Sequence, residues 1–334
     1  IQQNEIMNEL DCAILFRPNL HTKIWGGSAI KQYKSLDSDL VGIGESWEVS
    51  ALPGAESVVA TGALEGLTLG ELVARYGAAL LGSRVYGRYG AHFPLLVKII
   101  DADQDLSMQV HPCDSVAMRR HNARGKTEMW YVLSSRPGAK IHIGLSRRLK
   151  PESLGEIAAA GRIGDYVASY DSRPGDTFFI PAGRIHSIGA GNLLVEVQQS
   201  SDITYRIYDY GRRDAGGNLR ELHIDQARES VDYTVSPDYR NKSRHVAPGH
   251  DEIVDCDYFR VDRLEVDGEL AMPADPDSFR IFMCLDGEVT FTFNGTSRPG
   301  SAPVTLHRGQ TVLIPACAPS MTITGHAAIL SIQP

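Results

Sequence analysis

The sequence contains few cysteines and arranges none of them as a disulfide or zinc-binding motif. Its 334 residues include five, which are far apart and form no CxxC pair: Cys12, Cys113, Cys256, Cys284 and Cys317. This spacing argues against a disulfide framework and against a cysteine-rich structural zinc site.

Two further absences bear on where the protein works and what it binds. No stretch approaches the roughly 18 uninterrupted apolar residues of a membrane span, and no basic segment followed by an apolar core marks a signal peptide. Acidic residues outnumber basic ones, 41 to 33, for a formal charge of −8, whereas nucleic-acid binding needs clustered Lys and Arg. We therefore expect a cytoplasmic protein without nucleic-acid or membrane partners, and we place no weight on the residues before Met7.

Short strand-like runs separated by glycine and proline predict a mainly β protein. They are rich in β-branched and aromatic residues, a pattern typical of a β sandwich or barrel. The clearest runs are residues 93–100, 129–133, 177–180, 193–197, 279–284, 289–293 and 311–314.

Helices are predicted to be few. The clearest begins at Thr68, because Thr68-x-x-Glu71 forms a capping box. Apolar residues with helical spacing follow and share one face: Leu69, Leu72, Val73, Tyr76 and Leu80. We expect this helix to cover the β structure, with further short helices near residues 115–124, 151–160 and 224–231.

A weak internal repeat divides the chain. Gly175-x5-Pro181 recurs as Gly309-x5-Pro315, 134 residues later. The repeat predicts two related β domains, residues 1–240 and 241–334.

Only the first copy keeps polar residues suited to chemistry. His186 in the first copy corresponds to Ser320 in the second, and the same comparison sets Glu128 opposite Phe279. We therefore expect a metal-binding first domain and a degenerate second domain without a metal site.

Four residues in three separated segments form a candidate metal-binding set. Gln109 and His111 are two residues apart on a predicted strand and so face the same side. Glu128 opens an aromatic strand, and His186 follows the loop at 181–183. Two imidazoles, a carboxylate and an amide oxygen suit zinc and accept other divalent first-row metals, and positions left open for substrate would make the site catalytic.

These segments stand in the order of a degenerate cupin. Residues 175–186 fit the second cupin motif, Gly-x5-Pro-x-Gly-x2-His, while Gln-x-His at 109–111 replaces the His-x-His of the first. The chain resembles the type I phosphomannose isomerases (mannose-6-phosphate isomerases), a zinc cupin family. The family's Ser-x-Gln-x-His-Pro, Lys-Pro-Glu-Met and Ser-Asp-x-x-x-Arg segments read here as residues 107–112, 126–129 and 201–206, with Thr in place of Pro in the second.

The resemblance implies a fold, a cofactor and a reaction. The fold would be two jelly-roll cupin domains with a few covering helices. The reaction would interconvert mannose 6-phosphate and fructose 6-phosphate through a cis-enediol(ate), with a sugar phosphate as the small-molecule partner and a monomer or homodimer as the assembly. One Zn²⁺ per chain would be held by Gln109, His111, Glu128 and His186.

The resemblance also implies roles for six further residues. The catalytic candidates would move the proton, open the sugar ring or stabilise the enediolate, and they are Lys126, Asp202 and Arg206. Arg206 is equally a candidate for the phosphate. The substrate-binding candidates are Ser107 and Lys98, as phosphate contacts, and Glu196, near the metal pocket.

Two alternatives stay open at this level, a non-catalytic sugar-phosphate-binding cupin and an Fe(II) cupin oxygenase. Gly125 stands where the family often has a histidine, which keeps the non-catalytic alternative open. The oxygenase shares the fold and ligand types, so fold alone does not exclude it, but it has no need of Lys126, Asp202 and Arg206.

Overall fold

The computed structural model describes residues 10–213, 216–295 and 300–334, so the segment before Met7 lies outside the described residues. The protein is mainly β, which confirms the predicted fold class. The predicted runs 177–180 and 311–314 are strands with those bounds, and the other five lie within or overlap strands.

Two sheets form the N-terminal half. Sheet I contains, in spatial order, β2 (Leu20–Gly27), β3 (Ile43–Val49), β4 (Leu95–Ala102), β11 (Asn192–Gln199), β6 (Glu128–Ser135) and β9 (Thr177–Ile180). Sheet II contains β12 (Tyr205–Tyr208), β5 (Met108–Val110), β10 (His186–Ile188), β7 (Lys140–Leu145) and β8 (Val167–Asp171). An apolar core between them includes Trp130 and Phe178 from sheet I and Ile143 from sheet II.

Sheet III forms the C-terminal half and also takes in a strand from near the N-terminus. Its strands are β1 (Ile14–Leu15), β13 (Arg244–Ala247), β14 (His250–Asp255), β15 (Arg260–Met272), β16 (Arg280–Cys284), β17 (Glu288–Phe293), β18 (Val304–His307), β19 (Thr311–Ile314) and β20 (Met321–Gln333). Ile14 and Leu15 pair with Leu313 and Val312 of β19. The division of the chain into 1–240 and 241–334 stays a proposal.

The described helices are short. They are α1 (Ala29–Lys34), α2 (Leu69–Tyr76), α3 (Ala78–Leu81), α4 (Ser83–Tyr89), α5 (Asp114–His121), α6 (Leu154–Ala159) and α7 (Ile224–Ser230), with 3₁₀ turns at Pro151–Ser153 and Ile163–Tyr166. Within the described residues, no helix is long and apolar enough to cross a membrane.

Helix α2 has the capping box that the sequence predicts, but it is shorter than predicted. Thr68 accepts a hydrogen bond from the backbone of Glu71, whose side chain accepts one from the backbone of Thr68. The helix ends at Tyr76 because Gly77 takes φ 46°, a conformation that glycine tolerates best. Leu80 therefore lies in α3, although it is buried in the same core.

The internal repeat is present, but its strand alignment differs by one residue from the sequence comparison. Thr177 pairs with Tyr131 in the first copy, and Thr311 pairs with Met283 in the second. The same registers set Arg280, rather than Phe279, at the position of Glu128. Because a shift of one residue moves a side chain to the other face of a sheet, Phe279 is not the structural counterpart of Glu128.

A buried polar contact connects sheet I to sheet III. Glu48 of β3 forms an ion pair with Lys34 of α1, and both side chains are less than 10% exposed. Thr311 Oγ1 of β19 donates to the second Glu48 oxygen at 3.2 Å, and Ser46 Oγ donates to the first at 2.6 Å. Groups from both halves of the chain therefore bind the buried Glu48 carboxylate.

We expect Lys34→Met to lower the free energy of unfolding by about 3 kcal/mol, because it leaves the Glu48 carboxylate buried without its cation. Lys31→Met, in the same helix, is the control, because among the described residues the Lys31 ammonium donates to backbone carbonyls and pairs with no carboxylate. Chemical denaturation measures both. Combining Lys34→Met with Glu48→Gln should recover stability, and a double variant no more stable than Lys34→Met would contradict the assignment.

Candidate metal centre and active-site cavity

Two rows of cross-strand neighbours bring half of the predicted site residues together. In sheet II, His186 lies beside Gln109, which lies beside Arg206. In sheet I, Lys98 lies beside Glu196. Side chains opposite each other on neighbouring strands project from the same face. Four of these residues line one cavity between the sheets: Lys98, Gln109, Glu196 and Arg206.

His111, Glu128 and His186 form a fully buried cluster. Their ligand atoms lie within 4.8 Å of one another. The Nε2 atoms of His111 and His186 lie 3.4 Å from different oxygens of the Glu128 carboxylate. Two imidazole nitrogens and a carboxylate at one point are a donor set that divalent transition metals favour.

Both histidines are oriented so that Nε2 can act as a ligand. The Nδ1 atoms lie 2.9 Å from the Ile203 carbonyl oxygen and 2.8 Å from the Arg184 carbonyl oxygen, respectively. A carbonyl only accepts, so Nδ1 carries the proton and Nε2 the lone pair. Burial, helped by the charge of Lys126, lowers the pKa of His111 to about 4, and burial also lowers the pKa of His186.

The Glu128 carboxylate is the least satisfied group of the cluster. Both of its oxygens are buried and, in the part of the chain that the structure describes, neither accepts a hydrogen bond. Lys126 Nζ lies 2.9 Å from one of them as an ion pair. Burial acts to raise the pKa of Glu128, but Lys126 and His111 outweigh it and hold that pKa well below its usual range. Lys126 compensates one oxygen, while the Nε2 lone pairs of both histidines also face this carboxylate, so the residues present fit a metal ion.

Gln109 lies beside the cluster, where it can supply a fourth ligand. Its amide nitrogen is 3.3 Å from His186 Nε2, and its oxygen accepts a hydrogen bond of 3.1 Å from Ser107. A half turn of the amide exchanges oxygen and nitrogen, and the Ser107 hydroxyl can then accept instead. The four predicted ligands thus lie at one place, and their binding of a metal stays a prediction.

The loop before His186 depends on a glycine. Gly183 has φ 93°, and a Cβ there would lie 2.8 Å from the Ser230 carbonyl oxygen. The Gly183 N–H donates to the His111 carbonyl at 2.9 Å. The backbone therefore ties the loop of one predicted ligand directly to the strand end of another.

A cavity of about 500 Å³ adjoins the cluster. All six predicted catalytic and substrate-binding residues line it: Lys98, Ser107, Lys126, Glu196, Asp202 and Arg206. Gln109 also lines it, so the cavity reaches the predicted ligands. A larger cavity of about 670 Å³ lies between sheets I and III and includes none of these residues.

The two predicted lysines are paired with carboxylates. Lys98 Nζ lies 3.4 Å from Glu196 and 3.9 Å from Asp202, and Lys126 Nζ lies 3.6 Å from Glu196. Burial acts to lower the pKa of Lys126, but Glu128, Glu196 and Asp202 outweigh it and raise that pKa. Both lysines are therefore held between acidic groups at the deep end of the cavity.

Gly125, where the resemblance led us to look for a histidine, is packed too closely for a side chain. A Cβ there would lie 2.6 Å from the Asp114 backbone nitrogen and 2.8 Å from the Pro112 carbonyl oxygen. The Gly125 N–H donates to the Asp114 carboxylate at 2.7 Å. Glycine stands at this position because residue 125 packs against the turn between β5 and α5, where a side chain would not fit.

Three further charged residues line the cavity without a role assigned from sequence: Lys23, Glu45 and Arg220. Lys23 Nζ lies 3.3 Å from Glu45, which also accepts a hydrogen bond of 2.7 Å from the Trp47 indole. Burial acts to raise the pKa of Glu45, but Lys98 and Lys23 outweigh it and lower that pKa to about 2. Glu45 lies in β3, whereas Lys23 and Arg220 belong to no motif identified in the sequence.

Two family models match the chain. One describes the phosphomannose isomerase type I catalytic domain and matches residues 14–131. The other describes the mannose-6-phosphate isomerase cupin domain and matches residues 250–334.

Full-length relatives and solved structures agree with these matches. Mannose-6-phosphate isomerase ManA of Bacillus subtilis is 33% identical over 94% of this chain and 96% of its own length. The Streptococcus mutans mannose-6-phosphate isomerase is 39% identical over 64% and 66%. The crystal structure of a B. subtilis mannose 6-phosphate isomerase superimposes with a TM-score of 0.85 and 31% identity, covering 96% and 99%. The apo enzyme from Salmonella typhimurium, at 15% identity and a TM-score of 0.78, covering 97% and 99%, shares the fold.

We expect His186→Ala to lose bound metal while the protein stays folded, because the substitution removes one predicted ligand and leaves the core packing in place. His142→Ala is the matched control, since His142 lies on the adjacent strand, opposite Ser187. Elemental analysis after dialysis measures the metal, and circular dichroism monitors folding. Unchanged metal content in His186→Ala would show that the ligand assignment is wrong.

Proposed function

The chain belongs to the type I phosphomannose isomerase family, and from this premise we propose that it interconverts mannose 6-phosphate and fructose 6-phosphate with bound zinc. The observation that carries the proposal is a buried His–Glu–His cluster beside a cavity lined by Lys126, Asp202 and Arg206. An isomerase must stabilise an enediolate and move protons, and these residue types supply charge and proton transfer.

The metal would be held by Gln109, His111, Glu128 and His186, one ion per chain. When bound, zinc would supply Lewis acidity that polarises a substrate oxygen. The same N/O ligand set accepts other divalent first-row metals. Because the buried Glu128 carboxylate accepts no hydrogen bond from the described residues, a divalent ion would also stabilise the folded site.

Lys126 is the residue best placed to act next to the metal ligands. Its Nζ lies 2.9 Å from Glu128 and 3.6 Å from Glu196 and lines the cavity. With its pKa raised by the neighbouring carboxylates, Lys126 is an ammonium that can hold the negative charge of the enediolate. It can transfer the proton between C1 and C2 only if a bound cation takes up the charge of Glu128 and so lowers that pKa. Its pairing with both carboxylates fixes the ammonium before substrate arrives.

Asp202 and Arg206 lie nearer the mouth. The Asp202 side chain is 62% exposed and contacts Lys98, which suits ring opening or the transfer of a hydroxyl proton. The Arg206 guanidinium can stabilise the enediolate or bind the phosphate.

The remaining predicted substrate contacts are Lys98 and Ser107, predicted from sequence as phosphate contacts, and Glu196. Glu196 is fixed by the Trp130 indole, which donates to one carboxylate oxygen at 3.0 Å, and its other oxygen faces Lys98 and Lys126. Lys98, Glu196 and Ser107 then offer charged and hydroxyl groups for substrate oxygens. We also expect this reaction to take place in the cytoplasm and the enzyme to be a monomer or homodimer.

We expect protein treated with EDTA to convert no mannose 6-phosphate, and added zinc to restore fructose 6-phosphate formation, because the metal supplies Lewis acidity. A coupled assay for fructose 6-phosphate measures turnover, and untreated protein with added zinc is the control. No turnover with any divalent metal would reject the isomerase and leave a sugar-phosphate-binding cupin. Oxygen consumption with iron would instead indicate an oxygenase.

We expect Lys126→Met to lower kcat by roughly 10²- to 10⁴-fold, the usual contribution of a positioned proton-transfer group. Lys98→Met is the comparison, because it removes another buried cavity ammonium and should act mainly on KM. Steady-state kinetics with zinc-loaded protein separate the two constants. A Lys126→Met variant with full kcat and bound zinc would remove Lys126 from the mechanism.

A further inference from the structure

Positive charge exceeds negative charge in the cavity, although the whole chain has a formal charge of −8. The basic lining residues are Lys23, Lys98, Lys126, Arg206 and Arg220, and the acidic ones are Glu45, Glu196 and Asp202. A cavity of opposite sign to its protein attracts anions.

The excess positive charge of the cavity does not lie at its three lysines. Lys23 lies 3.3 Å from Glu45, Lys98 lies 3.4 Å from Glu196, and Lys126 lies 2.9 Å from Glu128. Glu128 lies just outside the cavity lining, and Asp202 lies 3.9 Å from Lys98 as a further acidic group. Each ammonium therefore has at least one nearby carboxylate.

The uncompensated charge lies at the two arginines. Arg206 forms no ion pair within the described parts of the chain; one of its terminal nitrogens donates to the Glu221 carbonyl at 2.8 Å, and its buried Nε has no acceptor there. Arg220 lies 3.2 Å from Asp209, but the same carboxylate also binds Arg212 at 2.5 Å. The Asp209 carboxylate thus contacts two guanidinium groups, and Arg206 forms an ion pair with no carboxylate of the described residues.

Asp209 is the charge partner of Arg220. Its side chain is only 4% exposed, and its Oδ2 lies 3.2 Å from Arg220 Nε as an ion pair, although within the described residues that oxygen accepts no hydrogen bond. The terminal nitrogens of the Arg220 guanidinium take no part in this contact. Arg212 anchors Asp209 in turn, because it also donates to the Asp105 carbonyl. The guanidinium of Arg220 is therefore held at the cavity wall before any ligand binds.

We propose that Arg220, positioned by Asp209, binds the phosphate of the sugar phosphate together with Arg206, and that this pair selects phosphorylated over free sugar. The inference rests on the proposed function. A planar guanidinium matches two phosphate oxygens at once, and two of them balance a dianion. Lys98 and Ser107 already contact Glu196 and Gln109, so they suit the sugar oxygens at the deep end.

The test is Arg220→Met. We expect kcat/KM for mannose 6-phosphate to fall roughly 10- to 100-fold, the loss of a charged hydrogen bond, and KM to carry most of it. The inhibition constant of inorganic phosphate should rise by a similar factor, while kcat/KM for free mannose, metal content and thermal stability stay unchanged. Arg213→Met is the matched control, because Arg213 lies in the same loop and contacts the Gly217 carbonyl outside the cavity.

Asp209→Asn tests the positioning role. It should raise KM and the phosphate inhibition constant with little change in kcat, a split that general unfolding would not produce; Arg220→Lys should lie between wild type and Arg220→Met. Unchanged KM and phosphate inhibition in Arg220→Met would overturn the inference whatever Asp209→Asn does. If the wild type converts no mannose 6-phosphate, the proposed function fails, and calorimetry with inorganic phosphate on the wild type and Arg220→Met still decides the inference.

Discussion

An ionised carboxylate buried in the N-terminal half is the constraint on which the site depends. Glu128 opens a strand of sheet I, while the imidazoles that face it come from β10 and from the end of β5 in sheet II. A buried charge must be compensated at close range, so the two sheets have to pack with Glu128 opposite the two histidines. The same requirement explains the Nδ1 hydrogen bonds of both histidines and the place of Lys126. One buried group therefore constrains how the surrounding elements pack.

Parts of the fold and the candidate metal ligands could be predicted from sequence because they depend on local patterns. The capping box at Thr68, the strands at 177–180 and 311–314 and the order Gln109, His111, Glu128, His186 all follow from spacing and residue type. What the sequence did not contain was long-range register. The alignment of Glu128 with Phe279 was one residue off because apolar strands look alike when shifted, and only their pairing partners distinguish them.

The unassigned cavity residues were missed for a different reason. Arg220 comes from the irregular chain after β12, where no periodicity predicts which way a side chain points. Its importance depends on Asp209, a contact eleven residues away that becomes visible only in three dimensions. Gly125 shows the reverse case: a departure from a family pattern that suggested lost chemistry has a packing explanation.

The pairing of β1 with β19 has a consequence for how the chain reaches this structure. Strand partners about 300 residues apart in sequence cannot join until nearly the whole polypeptide has left the ribosome, and contacts of such separation form slowly. Until then, β1 lacks its strand partner, and an unpaired strand can recruit other chains. During synthesis this N-terminal segment has to wait for β19, and chaperones that shield nascent chains would act there.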